Sequence, residues 1–387
     1  MNTVYADFHI HVGLSGGRPV KMAASKSLTV DSCIRHAKEK KGLDIIAIID
    51  GVCDGPLQEL RTKERSGELR ALPGGGLECD NGLVVFPGSE VEVEGPHGGQ
   101  AHFGCWFANL ERALDFQAWL KTVQRNTSLS SQRARCTAYQ LQEAVRSRLG
   151  LFIVHHAFTP HRGMYGNCVR TMQEMVDPTL VDGLELGLSA NTDMADTLSE
   201  VESVTFLTNS DAHSTPKIAR EYNQLQLDRI DFASVQKALH RSGDNRFTAN
   251  YGMHPALGKY HGSGCVKCGA PWLPSQTRCP SCGSTKQTVG VADRLRDIAT
   301  LSHPVHPSHR PPYIEQVPLA FVPGLGPRSL QRLFEAFGTE MNVLHRAGVS
   351  DLSKVVGERL ANAIDEARTG RMHIVAGRNG VYGKLEG

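Results

Sequence analysis

The strongest constraint on this fold comes from two short polar motifs, Asp7-Phe8-His9-Ile10-His11 and Asn209-Ser210-Asp211-Ala212-His213. Each stands where an apolar, β-branched run stops, so both fall at strand ends. Residues two apart on a strand point to the same face. His9 with His11, and Asp211 with His213, can therefore aim into one cavity. Imidazoles and carboxylates converging at strand ends are the donor set of a hydrolytic metal centre.

Between the motifs, apolar runs at 4–9, 44–50, 83–86, 101–107, 151–155, 183–186 and 205–207 alternate with helix-like stretches at 30–40, 110–124, 137–149 and 232–239. That rhythm argues for a parallel sheet, and seven repeats are enough to close a barrel. Chemistry in such barrels gathers at the carboxyl ends of the strands. His9, Asp50, Glu90, His155, His156 and Asp211 all fall there. Glu90, behind Pro87-Gly88-Ser89, has two oxygens that can bridge two metals, whereas Glu92 and Glu94 read as exposed acids on an edge strand. His102 opens one run and His155-His156 close another. Asp7 reads as a residue that orients a histidine from behind.

At 387 residues the chain exceeds one typical domain. Its net charge of +2 neither demands nor excludes nucleic acid, so any such partner must be argued from local features. No apolar run reaches the roughly 18 residues of a membrane span, and the amino terminus carries no signal-peptide pattern. The expectation is a cytoplasmic, nucleoid-associated protein with no membrane partner. Cys33, Cys53, Cys79, Cys105, Cys136 and Cys168 are scattered, as free thiols in a reducing compartment would be.

After Asn250 the character changes. Cys265-x-x-Cys268 and Cys279-x-x-Cys282 supply four thiolates for one tetrahedral structural zinc, with Gly269 and Gly283 permitting the tight turns. The zinc would staple a segment too small to hold its own core. A His- and Pro-rich stretch from His303 to Pro312 reads as a stiff connector. Phe321-Val322-Pro323-Gly324-Leu325-Gly326-Pro327-Arg328 then leads into an amphipathic helix carrying Arg332. Glycines let backbone approach a phosphate, and the following helix start points N–H groups at it. The arrangement resembles the helix-hairpin-helix of DNA-binding proteins, which makes Gly324, Gly326, Arg328 and Arg332 candidate DNA-binding residues. Val355-Val356-Gly357-Glu358-Arg359 reads as a degenerate second copy, with Arg359 where a second glycine would fall. The domain expectation is a barrel over 1–250, a zinc module over 251–292, a linker over 293–320, a helix-hairpin-helix region over 321–371 and a tail over 372–387.

His9-x-His11, Gly88-Ser89-Glu90, His102, His156-Ala157 and Asp211-Ala212-His213 resemble the successive signatures of the polymerase-and-histidinol-phosphatase (PHP) superfamily. Longer stretches resemble the endonuclease Q family of bacterial and archaeal DNA-repair nucleases. These are Gly17-Arg18-Pro19-Val20-Lys21, His156-Ala157-Phe158-Thr159-Pro160, the segment 209–214 with Arg220-Glu221-Tyr222-Asn223, Leu257-Gly258-Lys259-Tyr260-His261, and 309–317. The resemblance implies an α/β fold, a distorted (β/α)7 PHP barrel followed by the zinc-stapled module and an α-helical hairpin domain. It departs from the superfamily at Ser15-Gly16-Gly17 and at Ile49-Asp50-Gly51, where an aspartate and a Thr-Asp-His motif are usual. Two catalytic metals are therefore favoured over three. At the histidine doublet the resemblance aligns on His156 rather than His155.

The resemblance implies a metal-dependent endonuclease that nicks 5′ to deaminated bases (hypoxanthine, uracil and, as a further candidate, xanthine) and to abasic sites. His9, His11, Glu90, His102, His156, Asp211 and His213 would hold the metals, with Asp211 and Glu90 as the catalytic carboxylates. Zinc is favoured over manganese or magnesium. Damaged DNA is the expected partner, with a sliding clamp and other repair proteins as candidates. Phe158, Tyr165 and Trp106 are candidates to stack a flipped base. Two rival readings are a small-molecule phosphatase on the same barrel and a damage-binding protein with a decayed metal site. The carboxyl-terminal third speaks against the first, and the intact set of ligand types against the second.

Overall fold

The computed structural model describes residues 1–273, 275–371 and 373–386. Seven strands form its centre: β1 (Asn2–Ile10), β2 (Ile45–Ile48), β3 (Val84–Glu94), β4 (Gln100–Trp106), β5 (Leu151–Val154), β6 (Gly183–Glu185) and β7 (Phe206–Leu207). They pair in sequence order, and a parallel bridge from Ala212 to Ile10 closes the ring just beyond β7. The two polar motifs are thereby sewn together: His11 donates its N–H to Ala212, and Ala212 donates to His9.

The ring departs from an all-parallel sheet at one strand. β4 runs antiparallel to both neighbours, whereas the other adjacent pairs are parallel. The cause is local. Only Gly95-Pro96-His97-Gly98-Gly99 separates β3 from β4, and a parallel crossover needs about a dozen residues or more. Two further strands unmarked by the sequence rhythm, β8 (Tyr222–Leu227) and β9 (Arg246–Gly252), extend the sheet beyond β1, and β10 (Tyr313–Glu315) flanks β9.

A bulge decides which side chains reach the mouth of the ring. Val4, Ala6 and Phe8 belong to one buried cluster with Ile45, Ala47, Phe86, Trp106, Ile153 and Leu207, contributed from around the ring. The β1–β2 register shifts between Asp7 and Ile10. Beyond the shift Ile10 and Val12 join the outer cluster under the helices. An extra residue inverts the in-out parity of a strand. His9 and His11 therefore take over the inner face just above the apolar plug.

The carboxyl-terminal segments pack on this ring. The stretch 303–312, read as a stiff connector, is anchored. Arg310 is almost fully buried, pairs with buried Asp196 at 2.8 Å and lies 3.4 Å over the Phe206 ring. His306 Nδ1 lies 2.7 Å from the same carboxylate. Helices Pro327–Phe337, Glu340–His345, Val349–Val356 and Glu358–Arg368 follow. They dock on the barrel through a buried Lys41–Glu340 pair at 2.5 Å and through His345, which stacks on Tyr5 at 4.6 Å and meets the Tyr222 hydroxyl at 2.7 Å. Among the described residues, no helix is long and apolar enough to cross a membrane.

Candidate metal centre

Glu90 stands at the middle of the site, fully buried. Its Oε2 lies 3.3 Å from His9 Nε2, 3.0 Å from His102 Nδ1, 3.2 Å from His155 Nδ1 and 3.5 Å from His156 Nε2. Asp211 Oδ1 lies 3.4 Å from both His9 Nε2 and His11 Nε2, and 3.4 Å from His213 Nδ1. All seven residues expected as ligands meet here. Their donor atoms fall into overlapping groups within 4.8 Å: His9, His11 and Glu90; His11, Asp211 and His213; Glu90, His102 and His156.

Buried His9 Nε2, His11 Nε2 and His102 Nδ1 have no hydrogen-bond partner among the described residues. Buried polar atoms are nearly always partnered, so several orphans aimed at one point are what a cation would satisfy. The donor set therefore fits divalent metal. Burial opposes a charged Glu90, yet His102 and Lys21 outweigh it and hold its carboxyl well below the ordinary range. Asp211 is held low in the same way, against burial, by His213 and His9. Burial pushes His155 and His213 down to about 4, leaving neutral imidazoles, the form that ligates metal.

Both members of the histidine doublet come close to Glu90. Successive strand residues normally face opposite ways. His156 has φ of 27°, in the left-handed region, and both imidazoles reach Glu90. Asp211, with φ of 45°, is held the same way. Backbone strain of this kind, costing about 1–3 kcal/mol each, persists where surroundings enforce it.

Several positions differ from the sequence reading. Asp7 touches no imidazole; its carboxylate accepts the backbone N–H groups of His9, Ser210 and Ala219 and so fixes the backbone carrying both motifs. The orienting role falls to Asp50, which bonds His11 Nδ1 at 3.1 Å, and to Glu185, which bonds His9 Nδ1 at 2.9 Å. Glu92 is not an exposed acid: it is buried, lies 3.4 Å from His102 Nε2 and pairs with Arg162. Trp106, Phe158 and Tyr165 are fully buried; Trp106 stacks on Phe8 inside the ring and the other two on each other. None can receive a base. Sequence reasoning gave no role to Glu185, Lys21 or the Ser130-Ser131 pair, which bonds Asp50 and Glu90.

Beside Glu90 and Asp211 opens a cavity of about 370 Å³, whose other walls include Leu188, Ser189, Lys259 and Tyr260. The four cysteine sulfurs cluster within 4.8 Å, with Cys265–Cys282 at 3.6 Å and Cys268–Cys279 at 3.5 Å. Thiolates on one tetrahedral zinc, at about 2.3 Å each, stand ~3.8 Å apart. Gly269 and Gly283, with φ of 73° and 71°, turn the two knuckles alike. Gly324 has φ of 80°, Gly326 caps its helix, and Arg328 and Arg332 are exposed.

No family model matches the chain. YqxK, an uncharacterized protein of Bacillus subtilis (strain 168), is 42% identical over the whole of both chains. The crystal structure of PfuEndoQ, a lesion-specific endonuclease from Pyrococcus furiosus, superposes with a TM-score of 0.86 at 28% identity, covering 100% of this chain and 95% of that one. Endonuclease Q bound to a 27-mer duplex substrate with an abasic lesion at the active site gives the same TM-score and identity, covering 100% and 96%.

Proposed function

Because the chain belongs to the endonuclease Q family, we infer that it is a metal-dependent DNA-repair endonuclease. It nicks the phosphodiester 5′ to deaminated bases (hypoxanthine, uracil and xanthine) and abasic sites. The observation that carries this reading is coverage: the likeness at TM-score 0.86 runs through the zinc module and helical hairpins, not the barrel alone. A phosphatase acting on small esters has no evident use for those parts.

Divalent ions, when bound, polarise the phosphate and make water a nucleophile near neutral pH. Two would be bound, zinc before manganese or magnesium, held by Glu90, Asp211, His9, His11, His102, His156 and His213. Asp50, Glu185 and Glu92 hold three of these imidazoles from behind, which fixes their tautomers. Water oxygen bonds to phosphorus as the P–O3′ bond breaks, and its proton offsets the charge on the departing 3′ oxygen. The products are a 3′-hydroxyl and a 5′-phosphate. Backbone N–H groups of Arg328 and Ser329 at the helix start, with the side chains of Arg328 and Arg332, grip phosphates without reading sequence. The Tyr260–Leu188 cavity receives the flipped lesion, at a cost of a few kcal/mol that is lowest for mispaired bases.

The test is a duplex with one hypoxanthine, uracil or abasic site. A nick immediately 5′ of the lesion, abolished by chelator and restored by divalent metal, with undamaged duplex intact, is expected. Phosphate release from small monoesters without a lesion-dependent nick would replace this reading with the phosphatase one.

A further inference from the structure

A lysine, Lys21, sits inside the metal centre. Backbone bonds from Val20 to Gly13 and from Lys21 to Val12 fold the chain back beside His11. Lys21 Nζ thereby comes 3.0 Å from Glu90 Oε1, with the Lys21 side chain only 13% exposed. It also bonds Ser131 Oγ, whose own backbone is left-handed at φ of 53°. An ammonium has three donors, and these two bonds leave one. The side chain lines the same cavity as Asp211, His156 and His213.

Charge gives this placement a meaning. Besides Glu92, which Arg162 neutralises, four buried or half-buried carboxylates touch the ligand imidazoles: Asp50, Glu90, Glu185 and Asp211. With neutral imidazoles, two divalent ions would balance those four negative charges. Lys21 then adds a positive charge to the cavity wall, beside Lys259, where a phosphodiester would bring its negative charge. Hydrolysis builds up further negative charge on the non-bridging oxygens. A fixed cation aimed at them costs no reorganisation when the charge develops. The same Ser131 and Glu90 bonds that bury the ammonium also fix its direction.

We propose that Lys21 is a catalytic residue whose ammonium contacts a non-bridging oxygen of the scissile phosphate, doing at that point the electrostatic work of a further metal ion. The proposal rests on the nuclease reading. It predicts a substrate contact, whereas a lysine that only neutralised Glu90 would matter for stability or metal retention.

The experiment compares wild type, Lys21→Met and Lys21→Arg as full-length, metal-loaded protein on an abasic-site duplex. Metal content per chain is measured by plasma mass spectrometry, and nicking is repeated with each phosphorothioate diastereomer at the scissile phosphate. Lys21→Met should keep the wild-type metal count and a KM within about threefold, and lose about 100- to 1,000-fold in kcat, the loss typical of one missing oxyanion donor. Lys21→Arg should recover part of that loss. Wild type should discriminate between the diastereomers, and Lys21→Met should not. A Lys21→Met variant with wild-type kcat, with reduced metal content, or with undiminished diastereomer discrimination would overturn the proposal. If wild type itself fails to nick the lesion, the nuclease reading falls instead.

Discussion

Replacing Arg310 by alanine tests whether the His- and Pro-rich segment is a locked part of the fold. The guanidinium and the Asp196 carboxylate are each nearly fully buried and 2.8 Å apart. Arg310 also donates to the carbonyls of Val204 and Val201 and covers the Phe206 ring. Removing one partner of a buried ion pair leaves the other uncompensated and costs about 3–5 kcal/mol. His306, half-exposed, still reaches Asp196 at 2.7 Å and partly compensates, so the expected loss lies toward 3 kcal/mol. Urea unfolding followed by tryptophan fluorescence measures it. Asp196→Asn combined with Arg310→Ala should cost less than the sum of the two single changes, because the second change no longer strands a charge. A loss below about 1 kcal/mol for Arg310→Ala, the range of exposed pairs, would refute the reasoning: the segment would be tethered rather than locked.

Three further outcomes are expected. Glu221 is buried, and burial raises its carboxyl from 4.5 to about 8. The folded state therefore keeps a proton that the unfolded chain releases, and stability from this group, full below the unfolded value, is lost as pH rises to about 8. Glu221→Gln should flatten the decline of Tm over that interval, as a pH series of melting curves would show. Cys265→Ser should release one zinc per chain and loosen the carboxyl-terminal third while the barrel stays folded; metal analysis and limited proteolysis check both. A Cβ at Gly326 meets nothing within 4 Å, whereas Gly324 is left-handed and would be strained. Gly326→Val should thus weaken DNA binding for all sequences without unfolding the hairpin, and titrations at several salt concentrations test this.

Much of the centre was legible because a strand has period two. That rule joined His9 to His11 and Asp211 to His213. Applied once more it joins Glu90 to Glu92, since both carboxylates meet the same His102 ring, and reading Glu92 as exposed ignored it. The antiparallel turn of β4 was equally visible in the five residues 95–99. Other parts were not legible. Lys21 lies in a short polar hairpin where a lysine ordinarily faces water, and only the fold-back onto β1 buries it. Glu185 ends a three-residue strand, too short for an alternation to show. The bulge at Asp7–Ile10 leaves no mark in composition, yet it moves His9 and His11 to the inner face. Trp106, Phe158 and Tyr165 were aromatic enough to hold a base, but the core had already claimed them.

The buried Lys41–Glu340 pair and the stacked His345 ring have a consequence for how a duplex is held. They join the helical hairpins to the barrel, so the proposed phosphate grip and the metal centre sit at a set spacing, like the jaws of a caliper. Jaws that do not travel leave the adjustment to what lies between them. On the nuclease reading, the duplex must do the bending. A lesion that softens the helix then lowers the cost of reaching the metals before any atom of the damaged base has been recognised.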